Sequence, residues 1–118
     1  GVTDAMAGRM VPGHRADADA ALGGAPAADL RVFLSHQPNT ARHAARLGAH
    51  LQISGHTHGG QVGLGGKSLL APVYPLIRGH YRGHDGSSQL FVSAGLGHWL
   101  PFRFGCPPEV VVIELVTA

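Results

Sequence analysis

Apolar and polar positions fall into short blocks along this chain, each closed off by turn residues. Leu30-Arg31-Val32-Phe33-Leu34-Ser35 is an apolar run with β-branched and aromatic members. It predicts a buried strand ending at His36, and Pro38 stops any further ladder. Asn39-Thr40 then offers an N-cap for a helix over Ala41 to Leu47, with Gly48 where a C-cap glycine belongs. A second strand is predicted from His50 to Ser54. Fourteen residues separate Ser35 from His50, enough for a crossover connection, so the two strands are expected to be parallel. Further on, Gln89 to Ala94 and Glu109 to Val116 have strand character, the first after Asp85-Gly86-Ser87-Ser88 and the second after Pro107-Pro108. Upstream, between Pro12-Gly13 and Gly23-Gly24-Ala25-Pro26, residues Asp17 to Leu22 predict a short helix capped by Asp17. Glycines make the chain irregular from Gly55 to Gly66, and Pro72 and Pro75 break residues 67–78. The expected architecture is α/β, a sheet of at least four strands with few helices.

Composition narrows this without changing it. A length of 118 residues suits one small domain, and 18 Gly with 8 Pro exclude a coiled coil or a long helical bundle. The hydrophobic share of 44% can build a core, whereas 14% charged residues is too few for a disordered tail. Net charge is +2 with nine Lys and Arg scattered and no basic run, so no nucleic-acid partner is expected. Cys106 is alone, which rules out an internal disulfide, a zinc ribbon and a redox pair of thiols and leaves the compartment open. No apolar run reaches the roughly 18 to 20 residues that span a bilayer. Gly1-Val2-Thr3-Asp4 reads like the tail of a strand entering a loop, so further sequence is expected upstream.

Nine histidines direct attention to chemistry, through position more than number. Parallel strands end on one edge of a sheet, the edge where open α/β proteins place ligands. His36 follows one strand; His56 and His58 follow the other. In an extended segment residues i and i+2 point the same way, so His56 and His58 are expected to face one cavity that His36 enters from the neighbouring strand. Three converging neutral imidazoles suit zinc, manganese, iron or cobalt. Gly55, Gly59 and Gly60 are expected to take positive φ and bring backbone close to an ion or phosphate. The plainer alternative is a loop with exposed histidines. His43 and His50 are expected on a helix face and at a strand start, His14 and His98 in loops. His80, His84 and Asp85 read as a solvated loop because Gly79 and Gly83 oppose a helix. Arg78, Arg82 and Arg103 could meet a phosphate, ordinary surface charge being the simpler reading. Trp99-Leu100-Pro101-Phe102 either packs as core beneath a glycine-rich loop or forms a lipid-facing or substrate-tail surface. Gly63-Leu64-Gly65-Gly66-Lys67-Ser68 fails the P-loop spacing because position 61 is Gln.

Four segments together resemble a known family. Leu34-Ser35-His36-Gln37-Pro38, Gly55-His56-Thr57-His58-Gly59-Gly60-Gln61, Val92-Ser93-Ala94-Gly95-Leu96-Gly97 and Arg103-Phe104-Gly105-Cys106-Pro107-Pro108-Glu109 are similar to the C-terminal part of calcineurin-like metallophosphoesterases. The last two segments resemble the bacterial branch that acts at or near membranes. The likeness covers roughly residues 30–118, and its most specific part is the Gly-His-Thr-His-Gly-Gly-Gln run.

That resemblance implies half of a metallophosphoesterase-type β-sandwich flanked by helices, with two divalent ions (Mn, Fe or Zn) in the complete enzyme. His36 and His56 would bind one ion and His58 the other. The family's Asp-x-His, Gly-Asp-x-x-Asp and Gly-Asn-His-Asp/Glu motifs do not occur, and Asp4, Asp17, Asp19 and Asp29 lack the right neighbours. Residues 1–118 therefore read as the C-terminal part of a single domain whose N-terminal half is absent, with no catalytic residue of its own beyond metal ligands. Two divalent ions also carry more positive charge than neutral imidazoles can offset, so carboxylates must come from elsewhere. The implied activity is phosphomonoester or phosphodiester hydrolysis by a hydroxide that two metals activate. The implied partner is a phosphoester, a lipid among the candidates, and the implied location is the bacterial membrane region. A noncatalytic metal-binding module and a compact hydrolase holding one zinc on His36, His56 and His58 are the alternatives.

Overall fold

A computed structural model describes residues 1–2, 4, 11–14, 16–84 and 86–116. The chain forms a mixed α/β layer. Helix α1 spans Ala18–Leu22 and begins at Asp17, whose carboxylate accepts from the Ala20 N–H at 2.8 Å. Strand β1 is Val32–Leu34, helix α2 is Ala41–Arg46, and strand β2 is Leu51–Ser54. β1 and β2 are parallel neighbours, Phe33 opposite Gln52, as the length of the connection predicts. The start of α2 differs from expectation. A 3-10 turn over Pro38–Thr40 leads into it, and Thr40 makes no capping bond. Its hydroxyl instead lies 3.0 Å from Ser35 Oγ and 3.2 Å from Gln52 Oε1. Gly48 closes the helix at φ 84°, a conformation that glycine adopts without a Cβ clash.

Two strands complete the sheet. β5 (Gly79–Arg82) and β6 (Gln89–Val92) follow a small hairpin of β3 (Gly63–Leu64) and β4 (Lys67–Ser68), and the order across the four-stranded sheet is β1-β2-β6-β5. β6 runs parallel to β2 and antiparallel to β5. The expected solvated loop at His80 is thus an edge strand. Its alternate residues His80 and Arg82 are exposed, so hydrogen bonds to β6 hold it more than an apolar sequence does. Asp85 lies outside the described residues. The expected strand from Glu109 to Val116 is not formed: residues 109–116 carry no strand, and Val112 is 91% exposed. Its apolar pattern meets no sheet edge here, and a pattern without a partner leaves backbone groups unpaired.

Register sorts the sheet into two faces. Phe33 and Ser35, Gln52 and Ser54, and Leu90 and Val92 share one face and are all buried. Ala18, Leu22, Phe33, Ala44 and Ala49 pack together there beneath the two helices. On the other face Val32 and Leu34 are exposed. Near the carboxyl ends of β1 and β2 the buried face turns polar. Gln52 Nε2 donates to Gln37 O at 3.2 Å and lies 2.9 Å from Ser54 Oγ. This network fixes the chain on which His36 sits.

Candidate metal centre

β1 and β2 deliver His36 and the 55–61 loop to one edge, and the Gly55 N–H donates to His36 O at 3.1 Å. The histidines do not project from an extended strand, however. His56 and His58 take left-handed φ of 69° and 50°, with Thr57 right-handed between them. Gly59, Gly60 and Gln61 are also left-handed, whereas Gly55 is not. Non-glycine residues in this region are strained, and such strain gathers at functional sites. At Gly60, φ 76° favours glycine, and a Cβ there would run into the Ser68 side chain and come within 2.9 Å of Ile77, so those side chains would have to shift.

His56 Nδ1 lies 3.2 Å from His36 Nε2, and their rings meet edge-on at 5.0 Å. A carboxylate joins them. Asp4 Oδ2 is 3.6 Å from His36 Nε2, and Gln37 Nε2 donates to Asp4 Oδ1 at 2.7 Å. One ligand atom from each of Asp4, His36 and His56 falls within 4.8 Å of the other two. Ligands about 2.1 Å from a tetrahedral ion stand roughly 3.4 Å apart, so this donor set fits a divalent ion. Burial first, and the neighbouring His36 second, lower the His56 pKa below 6.5 against the opposing pull of Asp4. The neutral ring that a metal needs is therefore favoured at neutral pH.

His58 stands apart from that trio. Its pKa is also lowered, by burial and then by the Arg103 guanidinium, whose Nη2 is 3.3 Å from His58 Nδ1. Trp99 separates the two environments, its ring edge-on to His56 and to His58 at 5.5 Å each.

Asp4 was not legible as a site residue, because its sequence neighbours match no ligand motif and only folding brings it to His36. The other candidates sit elsewhere. His43 is on α2, with Nε2 2.8 Å from Asp19 Oδ2, and His50 Nδ1 accepts from the Arg31 N–H. Arg78 pairs with Glu109 at 2.5 Å. Arg103 donates to the carbonyls of Ala94, Gly95 and Gly97. Both arginines thus have structural work. Arg82 lines a cavity of about 460 Å³ that includes none of the site histidines. Trp99, Leu100 and Phe102 are 61%, 50% and 54% exposed, which corrects the core-packing reading.

The chain is similar to several curated proteins. It is 36% identical over 86 residues to the uncharacterized metallophosphoesterase YkuE of Bacillus subtilis, covering 71% of this chain and 30% of the relative. It is 34% identical over 121 residues to a transmembrane protein with metallophosphoesterase domain of Danio rerio, covering 98% and 27%. It is 31% identical over 92 residues to the UDP-2,3-diacylglucosamine pyrophosphatase LpxG of Chlamydia trachomatis, covering 70% and 28%. The chain thus spans under a third of the length of these relatives. No protein-family model and no solved structure matches it. Among the described residues no helix is long and apolar enough to cross a membrane.

Proposed function

We propose, from the premise that most of this chain is metallophosphoesterase sequence, that it carries the histidine side of a divalent-metal centre that hydrolyses phosphoester bonds. The observation that supports this most is the Asp4–His36–His56 donor set, whose ligand atoms lie within 4.8 Å of one another. When bound, divalent ions supply the Lewis acidity and the activated water that phosphoester hydrolysis needs. His36 and His56 would hold one ion and His58 a second, on a turn whose Gly59 packs against Ala94 and Cys106 and whose Gly60 packs against Ser68 and Ile77. Gln37 orients the Asp4 carboxylate through its amide. The remaining carboxylates, and the group that protonates the departing alcohol, come from residues beyond these 118, which form the rest of one domain. The exposed apolar face of Val32 and Leu34 is in keeping with that division.

The substrate is a phosphoester. A lipid-borne one is favoured by the exposed Trp99 beside His56 and His58 and by the exposed Leu100 and Phe102 on the same loop, and the Chlamydia relative's name is that of a pyrophosphatase acting on a diacylated sugar nucleotide. A single-ion site is the second reading, because His58 is not part of the compact donor set.

In the full-length protein with Mn²⁺, His56→Ala should lower hydrolysis of bis-p-nitrophenyl phosphate at least about a hundredfold, beyond the loss of an outer-shell partner. His43→Ala should stay near wild type. Equal losses in both variants would overturn the metal assignment. The 118-residue chain alone should work near background; robust turnover abolished by His56→Ala would favour the single-ion hydrolase.

A further inference from the structure

The Gly-His-Thr-His-Gly-Gly-Gln run ends in a residue that metal binding does not use. Gln61 is 2% exposed and left-handed at φ 58°, three residues after His58, whose carbonyl accepts from its N–H at 3.2 Å. A buried carboxamide needs partners for both its donors and its acceptor. Gln61 finds them on one loop. Its Oε1 accepts from the Trp99 N–H at 2.7 Å and the Leu100 N–H at 3.1 Å, while its Nε2 donates to Leu100 O at 3.0 Å and Phe102 O at 2.8 Å. The Phe104 N–H adds a bond to Gln61 O at 2.8 Å.

Apolar burial does not hold this loop, since Trp99, Leu100, Phe102 and Phe104 are all at least half exposed. Yet the indole of Trp99 sits edge-on to both His56 and His58, at interplanar angles of 72° and 78°. An exposed aromatic on a glycine-rich loop loses side-chain and backbone entropy when held in one place, and the buried amide offsets this at Trp99 itself, while Arg103 holds Gly97 two residues earlier.

We infer that Gln61 is a positioning residue: its side-chain amide latches residues 99–102 so that Trp99 stands as a wall between His56 and His58 and restricts the rotation of both rings. Ring orientation decides whether an imidazole lone pair faces an ion, so the latch acts on metal affinity through Trp99 and not by direct contact. This rests on the metal reading above only for its consequence; the latch itself is a contact between Gln61 and Trp99.

The test uses the full-length protein labelled with 5-fluorotryptophan, the Trp99 line being assigned by its loss in Trp99→Phe. In the metal-free protein, Gln61→Ala should move this ¹⁹F line toward the position of a solvated indole and narrow it. Gln61→Glu should have an intermediate effect, because its carboxylate still accepts from the Trp99 and Leu100 N–H groups but meets two carbonyls without a proton. It also serves if Gln61→Ala does not fold. Zinc titration then supplies a cycle: Gln61→Glu and Trp99→Leu should each weaken Zn²⁺ binding by up to about tenfold, and the double variant should be no weaker than the worse single one. An unmoved Trp99 line in the folded Gln61 variants, or additive losses in the cycle, would overturn the inference. If His56→Ala leaves the zinc affinity of the wild-type protein unchanged, the metal reading fails, and the ¹⁹F line of the metal-free protein alone decides the latch.

Discussion

Residues 89–92 and 109–116 both have strand character and are preceded by turn residues, yet they have opposite fates. The first enters the sheet as β6 between β2 and β5, with Leu90 and Val92 buried. The second joins no strand among the described residues and exposes Val110, Val112, Leu115 and Val116. Intrinsic preference does not separate them. β6 has a strand on each side that satisfies its N–H and C=O groups, whereas residues 110–116 pair with no strand among the described residues. Strand propensity therefore expresses the availability of a partner more than a property of the segment.

The largest test of this contrast is Leu90→Ala. Leu90 is 5% exposed on the helix-covered face, so removing its side chain should cost about 2–5 kcal/mol in urea unfolding, by lost transfer energy and a residual cavity. A cost below about 1 kcal/mol would mean that β6 is no better packed than residues 110–116.

The junction between the two regions is Glu109, and it should respond less strongly but with a distinctive pH signature. Its carboxylate accepts from the Ala94 N–H at 2.8 Å and from Arg78 at 2.5 Å, and its own N–H donates to Gly95 O. Burial pulls its pKa upward, but the Ala94 N–H and then Arg78 outweigh burial and hold it below 4.5. Glu109→Gln should cost about 1.5–3 kcal/mol at neutral pH, the range for hydrogen bonds to charged groups. Because the folded carboxylate resists protonation, the unfolded chain binds more protons just below pH 4.5. Wild-type stability should then fall as pH drops through the folded-state pKa, and the gap to Glu109→Gln should close over that interval. A gap that stays constant with pH would remove the charged bonds from the account.

What the sequence disclosed follows the same division. β1, α2 and β2 were legible because the strand, the helix closed by Gly48 and the second strand are each local signals that agree with one another, although the expected Thr40 cap is not made. β5 was hidden: with His80 and Arg82 facing solvent, its order comes from β6, residues away in sequence. At the site, the nearness of His36 and His56 was readable from two parallel strands ending together. The way His56 and His58 are presented was not, since both are left-handed on a turn, where the i, i+2 rule of an extended segment does not apply. Asp4, set aside as a ligand, and Gln61, read only as part of the motif, had roles hidden for a related reason. The first meets His36 and the second meets Trp99 only through contacts about thirty to forty residues apart in sequence, and no local pattern records them.

The smallest effect is the most direct probe of the contrast, because it repeats one substitution in the other segment. Leu115→Ala removes the same atoms as Leu90→Ala, but Leu115 is 60% exposed in a segment without a strand partner. Little apolar surface leaves water there on folding, and no cavity forms when the side chain is cut back. The 118-residue chain should therefore lose no more than about 0.5 kcal/mol in urea unfolding, the usual range for a surface position. Backbone amides 110–116 should exchange with solvent far faster than those of 89–92 in the same sample. A Leu115→Ala cost approaching that of Leu90→Ala, or equal protection of the two segments, would mean that residues 110–116 are packed in solution and that a strand pattern had found an edge after all.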